Sequence, residues 1–534
     1  MTRPGAFGRR CKRPVVRWLV AAAAALLASA GAVQAETVLR IVMNSDLKIL
    51  DPIWNTAFVI RDHGYMVYDT LFATDAEGEI RPQMVDRTEV SADKLTYTFT
   101  LRDGLKWHDG QPVTAEDCVA SIRRWAARDV VGQKLMTFVL AVEAKDARTI
   151  EIRLKEPTAL LLPALGKPNS NVPFMMPRRV AETDPFTQIT DPTGSGPFIF
   201  KKDEWRPGHL AVYVRNPDYK PRAEPVSRLA GGKIAKVDRI EWHAMPDHLQ
   251  AINALQAGEI DFIEAPPFDL HPLLEADRNI QLLTLSPVGS QNIFRLNHLH
   301  KPFDNPTVRR ALWYAFNQED FLKAVIGDPA KYKPCKALFI CGTPYASDKG
   351  MAGLLESDFD KAAALLKQAG YDGTPVVLLQ SSDLFWQTNL APVAKRLMEK
   401  AGFKVDMQPM DWQSIIIRTS RKSPPEQGGW HAYLISPSAM DLVDPVSNRY
   451  LNSSCDKAFN GWPCDPEMEK LRDRFARETD PARLKEIADA AQIRATEWTP
   501  YIPLGEWRLV SAARRNVSGF ISAGPTVFWN VEKR

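Results

Sequence analysis

The chain has 534 residues, 45% of them hydrophobic, with 68 Lys and Arg against 64 Asp and Glu and a formal charge of +4. That length exceeds one ordinary hydrophobic core, so two or more lobes are expected. Six of the basic residues and none of the acidic ones fall in residues 1–35, so the remainder carries a formal charge of −2, which removes the charge-based case for a nucleic-acid or anionic-membrane partner.

Arg3, Arg9, Arg10, Lys12, Arg13 and Arg17 precede an apolar run from Trp18 to about Gly31, and Val33-Gln34-Ala35 offers small residues for a signal peptidase. The pattern predicts a signal peptide over 1–35, cleaved after Ala35, and a periplasmic, soluble mature chain. The apolar run is shorter than the roughly 20 residues a bilayer crossing needs. Export by the general secretory route is expected, although Arg9-Arg10 also suits twin-arginine export.

Beyond the leader, Val38–Met43 reads as an apolar strand, and Leu95–Leu101 and Thr149–Leu154 alternate at period two as half-buried strands do. Between them, Thr114-Ala115-Glu116-Asp117 has the form of a capping box, with Cys118, Val119, Ile122 and Trp125 on one face of the helix it opens. Asp247 precedes a helix stopped by Gly258, followed by the short strand Ile260–Ile263. Asn305-Pro306 opens another helix. From Asp358 the pattern is helix to Gly370, strand Val376–Leu379, helix Leu390–Ala401 and strand Phe403–Met407, the alternation of an α/β lobe. A long helix begins near Pro481.

Five cysteines lie beyond the leader. In an oxidising compartment the economical pairing is Cys335 with Cys341 and Cys455 with Cys464, leaving Cys118 as a core thiol. Zinc is the alternative, but neither spacing fits a C-x₂₋₄-C knuckle and neither pair has a clear His partner, so no metal site is assigned. No phosphate-cradling G-x-x-x-x-G-K-[ST] occurs, and no cofactor is expected.

The run Gly104-Leu105-Lys106-Trp107-His108-Asp109-Gly110-Gln111-Pro112-Val113-Thr114-Ala115-Glu116-Asp117 resembles the signature of the family 5 extracellular solute-binding proteins. Four further matches follow in order: Gly194–Phe198, Asn216–Tyr219, Leu255–Asp261 and Phe303–Ala311. The resemblance implies an α/β, bilobal periplasmic-binding-protein fold of type II, of the large cluster with an extra subdomain, its two lobes joined by a hinge. Lobe I is expected over 36–293 plus 506–534, with the subdomain at about 78–194, and lobe II over 294–505. The crossings are expected at Ser290–Asn297 and Tyr501–Trp507. The motif residues themselves read mainly as turns and caps, with Gly104, Gly110, Gly194 and Gly196 at positions of unusual φ.

The same resemblance implies the substrate-binding component of an ABC importer, which captures a dipeptide, short peptide or peptide-like solute for an inner-membrane permease with separate ATPase subunits. The protein is expected to act as a monomer and not as an enzyme. Asp441-Leu442-Val443-Asp444-Pro445 is similar to the family's Asp-x-x-Asp-Pro element, with Asp441 at the amine-binding carboxylate; a cap or loop role is the alternative. Trp386, Trp412 and Trp430 are candidate pocket walls or core residues, and Trp54 and Asn55 are the expected first-lobe contacts. Arg418, Arg421 and Arg449 are equal candidates for a ligand carboxylate. Competing classes are a secreted serine hydrolase or peptidase, for which Ser45–Lys48 and Ser91–Lys94 fit S-x-x-K without completing a catalytic set, and a protein-binding chaperone or adhesin.

Overall fold

Strand Val38–Val42, whose Leu39 and Ile41 are fully buried, runs through the middle of a seven-stranded sheet in the computed structural model of this chain. The structure describes Met1, residues 36–286 and residues 288–534; the predicted leader lies outside the described residues. Met1–Thr37 is a unit of its own, and the fold below is that of Val38–Arg534. Val38–Val42 pairs in parallel with Arg239–His243 and Phe262–Ile263, while Ile280–Leu283, Ser511–Arg514, Leu210–Arg215 and Phe198–Phe200 complete the sheet with antiparallel pairings.

A second sheet has six strands in the order Tyr332–Lys333, Tyr501–Trp507, Ser290–Leu296, Ala432–Ile435, Val376–Ser381 and Val405–Met410. Ser290–Leu296 and Tyr501–Trp507 are antiparallel neighbours, and every residue of both is buried. The chain passes from the first sheet to the second between Leu283 and Ser290 and returns between Trp507 and Ser511. Two sheets, each wrapped by helices and joined by two adjacent crossings, make the bilobal α/β fold. A third, four-stranded antiparallel sheet (Val85–Val90, Thr96–Leu101, Thr149–Leu154, Val139–Ala144) packs with helix Ala115–Arg128 around its own core.

Local chemistry explains these elements. Thr114 Oγ1 accepts from Asp117 N while the Asp117 carboxylate accepts from Thr114 N, so both ends of the capping box are made. Such a cap contributes on the order of 1 kcal/mol. Cys118, Val119, Ile122 and Trp125 are all buried on the face read from the sequence, and burial pushes the Cys118 thiol up, which keeps it an inert packing group. Thr149–Leu154 alternates half-buried and buried, whereas five of the six residues of Val376–Ser381 are buried because that strand is parallel to both neighbours with both faces covered. The predicted strand Phe403–Met407 lies slightly later, at Val405–Met410, because Gly402 first turns the chain out of helix Leu390–Lys400 with φ 98°.

Both disulfides, Cys335–Cys341 and Cys455–Cys464, are formed. The glycine reading needs one correction. Gly104 and Gly110 do adopt positive φ (71° and 84°), but Gly194 and Gly196 do not. They are required for close approach: a Cβ on Gly194 would sit 2.0 Å from Val67 O, and Gly196 N donates to that same carbonyl at 2.8 Å. The Gly-Ser-Gly-Pro-Phe motif thus clamps the end of helix Phe58–Val67, and that helix carries the charged residues described next.

Candidate ligand-binding cleft

Helix Phe58–Val67 is buried at nine of its ten positions, yet it contains Arg61, Asp62 and His63. No side chain caps its start at Ala57, and it is enclosed on nearly every side. His63 Nδ1 pairs with Tyr213 OH at 2.9 Å, and burial holds the imidazole neutral by pulling its pKa down to about 3. Arg61 and Asp62 point elsewhere, into the seam between the lobes.

There they form part of a continuous polar chain. Arg61 Nε donates to Asp62 Oδ1 at 2.7 Å, and Nη2 lies 2.7 Å from the same oxygen. Arg61 Nη1 donates to Asn169 Oδ1. Asn169 Nδ2 donates in turn to Asp441 Oδ2 at 2.6 Å, and Ser170 Oγ donates to that oxygen as well. Asp62 Oδ2 is buried without a donor and faces the Glu264 carboxyl. Glu264 ends the chain, accepting from Asn44 N at 2.8 Å, Asn44 Nδ2 at 2.5 Å and Thr526 Oγ1 at 2.7 Å. It follows strand Phe262–Ile263 at its carboxyl end, where open α/β sheets place ligand groups.

Burial pushes the Asp62 carboxyl well above its usual range, against the attraction of Arg61 and with the neighbouring Glu264 carboxyl adding to the rise. Burial works against the Arg61 charge, but Asp62 more than restores it, so the guanidinium stays protonated.

Arg61, Glu264, Ser290, Ser438, Ser511 and Thr526 line a cavity of ≈ 30 Å³ drawn from both lobes. That is room for about one water, so the cleft is closed in this structure. A larger concavity of ≈ 570 Å³ beside Pro392, Arg396 and Met407 is an open dent on the edge of the second lobe, remote from the buried charges.

Of the residues singled out from the sequence, Asp441 lies at this seam, buried at the end of a short 3₁₀ turn after Ser438. Asn55 braces it indirectly: Asn171 Nδ2 donates to Ile53 O at 2.7 Å and Asn55 O at 3.4 Å, fixing the loop that presents Asn169 and Ser170. The Trp54 ring itself stacks under Arg128 at 5.0 Å, and Asn55 Oδ1 accepts from Ala57 N at 2.9 Å, ahead of the helix. Trp386 packs with Ala265, Phe268 and Trp507 in a cluster that joins the lobes. Trp430 is enclosed in the second-lobe core with its Nε1 on Thr419 O at 3.1 Å, and half-buried Trp412 packs against the same cluster. Neither is brought to Asp441. Arg418 is engaged by Gly429 O and Gln408 Oε1, and Arg449 lies over Phe459. Arg228 also reaches the seam, with Nη2 3.8 Å from Met440 Sδ; the other guanidinium there is Arg61, which the sequence reading missed along with Asp62, Asn169, Ser170, Arg228 and Glu264. The signal for Arg61 was an Arg-Asp-His run inside an otherwise apolar helix.

Residues 79–460 match the family model for bacterial extracellular solute-binding proteins, family 5. The chain is 37% identical over 511 residues to the probable peptide ABC transporter periplasmic-binding protein y4tO of Sinorhizobium fredii, covering 95% of this chain and 96% of that one. It is 27% identical over 512 residues to the glutathione-binding protein GsiB of Escherichia coli K12, covering 93% and 94%. Among solved structures, the dipeptide-binding protein of Pseudoalteromonas sp. SM9913 with Met-Leu superposes with a TM-score of 0.78 at 19% identity, over 93% of this chain and all of that one. The agropinic-acid complex of AgaA from A. tumefaciens R10 gives 0.77 at 22%, over 93% and 99%, and these two likenesses carry the fold. With a family model matched over most of its length and a relative of this identity aligned end to end, the chain belongs to the family 5 bacterial extracellular solute-binding proteins.

Proposed function

We propose that this chain is the substrate-binding component of a bacterial ABC importer, which closes its two lobes around a peptide-like solute bearing a free amino group and delivers it to a membrane permease. The observation that carries this reading is the position of Asp441: a buried second-lobe carboxylate that reaches across the seam to Asn169 and Ser170 of the first lobe. A carboxylate held at such a seam takes an ammonium by charge-assisted hydrogen bonds, and doing so draws both lobes onto the ligand. The names of the relatives, peptide and glutathione binders, favour the same solute class.

In this reading the mature protein begins after Ala35, works as a monomer in the periplasm, performs no chemistry of its own, and leaves ATP hydrolysis to separate subunits. Among the described residues no helix is long and apolar enough to cross a membrane. Lobe I carries the first sheet, up to about Leu283 and again from Ser511, and lobe II the second sheet, so the bounds expected at 293 and 506 shift outward to the paired crossings, which form the hinge.

Native mass spectrometry of the protein purified from its host tests the proposal. A co-purified peptide or peptide-like amine supports it. An empty protein with no thermal shift across a peptide and metabolite library refutes it in favour of a protein partner.

A further inference from the structure

Beside the hinge, the Cys335–Cys341 disulfide lies against two buried oxygen acceptors with few donors to answer them. Both Sγ atoms and a carboxylate oxygen of Glu506 lie within 4.8 Å of one another. Glu506 stands near the end of strand Tyr501–Trp507, is 7% exposed, and accepts from Cys341 N at 2.9 Å through Oε1. Burial pushes its carboxyl above the usual range, and that N–H and the charges of Lys333 and Arg508 offset the rise only in part. Directly opposite, on the other crossing strand, sits fully buried Gln291, whose side chain shares the face of Glu506. Gln291 Nε2 donates to Ala337 O, inside the disulfide loop, at 3.1 Å, while its Oε1 is buried without a donor among the described residues.

Buried acceptors in excess of donors are costly until a cation or a donor reaches them. The sulfurs decide which cation fits. As a disulfide they are poor ligands, but as thiolates they join the carboxylate and the amide oxygen in a mixed sulfur and oxygen set. That set suits zinc, whereas calcium and magnesium take oxygen alone and copper(I) favours soft sulfur ligands. Two thiolates on a tetrahedral zinc, each at about 2.3 Å, lie about 3.8 Å apart. Cα atoms 6.0 Å apart reach that spacing by side-chain rotation.

The loop does not need the S–S bond to keep its shape. Gln318 brackets Cys335, accepting from its N at 2.6 Å and donating to its O at 2.6 Å. Leu338 N donates to Gln492 Oε1 at 2.9 Å, and Cys341 N is held by Glu506. Freed thiols therefore stay beside Glu506 instead of swinging apart, which is the preorganisation a metal site requires. Cys335 is buried and Cys341 half-buried, so Cys341 Sγ is the sulfur that an incoming thiolate meets.

We propose that the Cys335–Cys341 pair, once reduced, forms a zinc site with the Glu506 carboxylate as third ligand and the Gln291 amide oxygen at the fourth position. The reductant is a dithiol. One of its thiolates attacks Cys341 Sγ, and Cys335 leaves as a thiolate and takes up a proton. The second thiol of the reductant then closes its own disulfide, releasing Cys341, which is protonated in turn. Two electrons and two protons have passed to the pair. Zinc displaces both protons to solvent and is held by two thiolates and one carboxylate. Because Gln291 and Glu506 belong to the two crossing strands, the ion ties both strands to the loop. Cysteine spacing alone could not reveal this site, since Glu506 is 165 residues from Cys341.

Zinc titrated against a chromophoric chelator tests this on the mature protein, reduced with a phosphine that is itself oxidised to its oxide. The reduced chain is expected to bind zinc at least about a hundredfold more tightly than the oxidised chain. Cys341→Ser and Glu506→Gln are each expected to weaken that binding about tenfold or more. Cys464→Ser, which disrupts the other cysteine pair, is expected to leave it within about twofold. X-ray absorption on the zinc-loaded wild-type chain depends on no variant and is expected to show two sulfur and two oxygen neighbours. Equal zinc affinity of the reduced and oxidised chains overturns the proposal. So does undiminished binding by Glu506→Gln, loss of binding in Cys464→Ser, or a shell of four sulfurs.

Discussion

Replacing Asp441 by asparagine removes one charge and almost no volume, and its effect can be worked from the contacts. In this structure, Oδ2 accepts from Asn169 Nδ2 and Ser170 Oγ. The substituted amide still offers an oxygen to both donors, so the seam loses only the charge assistance of two hydrogen bonds. With ligand bound, the difference is larger. A hydrogen bond to a charged group contributes about 1.5–3 kcal/mol against about 0.5–1.5 kcal/mol for a neutral one. When the ligand's own end is an ammonium, the deficit is about 1–2 kcal/mol, or roughly 5- to 30-fold in Kd. Calorimetry with the co-purified ligand measures it directly, and a desamino analogue supplies the control, because wild type and D441N must bind that analogue alike. If D441N holds the true ligand with unchanged affinity, the amine-anchor argument fails. Should D441N bind more tightly while melting earlier in the empty state, Asp441 is only a latch between lobes, with Asn169 as its partner.

Three other outcomes are expected. Thr158 Oγ1 donates to Ala476 O at 2.8 Å in a buried contact between the small-sheet region and helix Pro466–Arg477 of the second lobe, beside an exposed Arg477–Glu156 pair at 3.1 Å. Thr158→Val should weaken closure by about 1 kcal/mol, seen as a several-fold loss of ligand affinity, while Glu156→Gln should change it little because exposed pairs contribute at most about 1 kcal/mol. Gly194→Ala should destabilise the fold by about 1–3 kcal/mol in urea unfolding, since its Cβ meets Val67 O at 2.0 Å. For acid, the sign is set by buried neutral histidines: burial lowers His63 to about 3 and His108 and His431 to about 4, from an ordinary 6.5. Their contribution is complete above pH 6.5 and is lost as pH falls toward 4 and then 3, because the unfolded chain binds protons first. His63 alone accounts for up to about 5 kcal/mol of that loss, and His63→Asn should flatten the decline measured by urea unfolding across pH 7 to 4.

Much of the frame was legible because local chemistry dictated it. Capped helices at Thr114, Asp247, Asn305 and Asp480 begin where side-chain oxygens could take the first free N–H groups, and all four caps are made. The disulfides followed from cysteines placed close in sequence. The helix holding Arg61 was not read, and the reason is physical: it has no capping side chain, and burial on nearly every side erases the 3.6-residue stripe that marks an amphipathic helix. For the indoles the sequence left wall and core as alternatives, and Trp430 takes the core. Trp430 and Trp412 lie in loop-rich second-lobe sequence, as a pocket wall would, yet Trp430 finds its N–H partner at Thr419 O inside the core, with Trp412 packed against it.

Asp441 shows where the limit lies. Its Asp-x-x-Asp-Pro setting singled out a carboxylate, but could not show what answers it from the first lobe, because Asn169 is 272 residues away in sequence. Nor does either residue look unusual alone, as Asn and Asp are ordinary loop residues. What makes them a site is the bridge between opposite charges, with Arg61 beyond Asn169 and Asp441 before it. A sealed cleft of ≈ 30 Å³ would be a poor receptor if it closed on itself strongly. Here the bridge across the seam is made by a neutral amide, so its contact with Asp441 is weaker than the one an ammonium would offer. Ligand therefore gains by differential contact with the closed form, which is the condition for binding to shift the lobes toward closure.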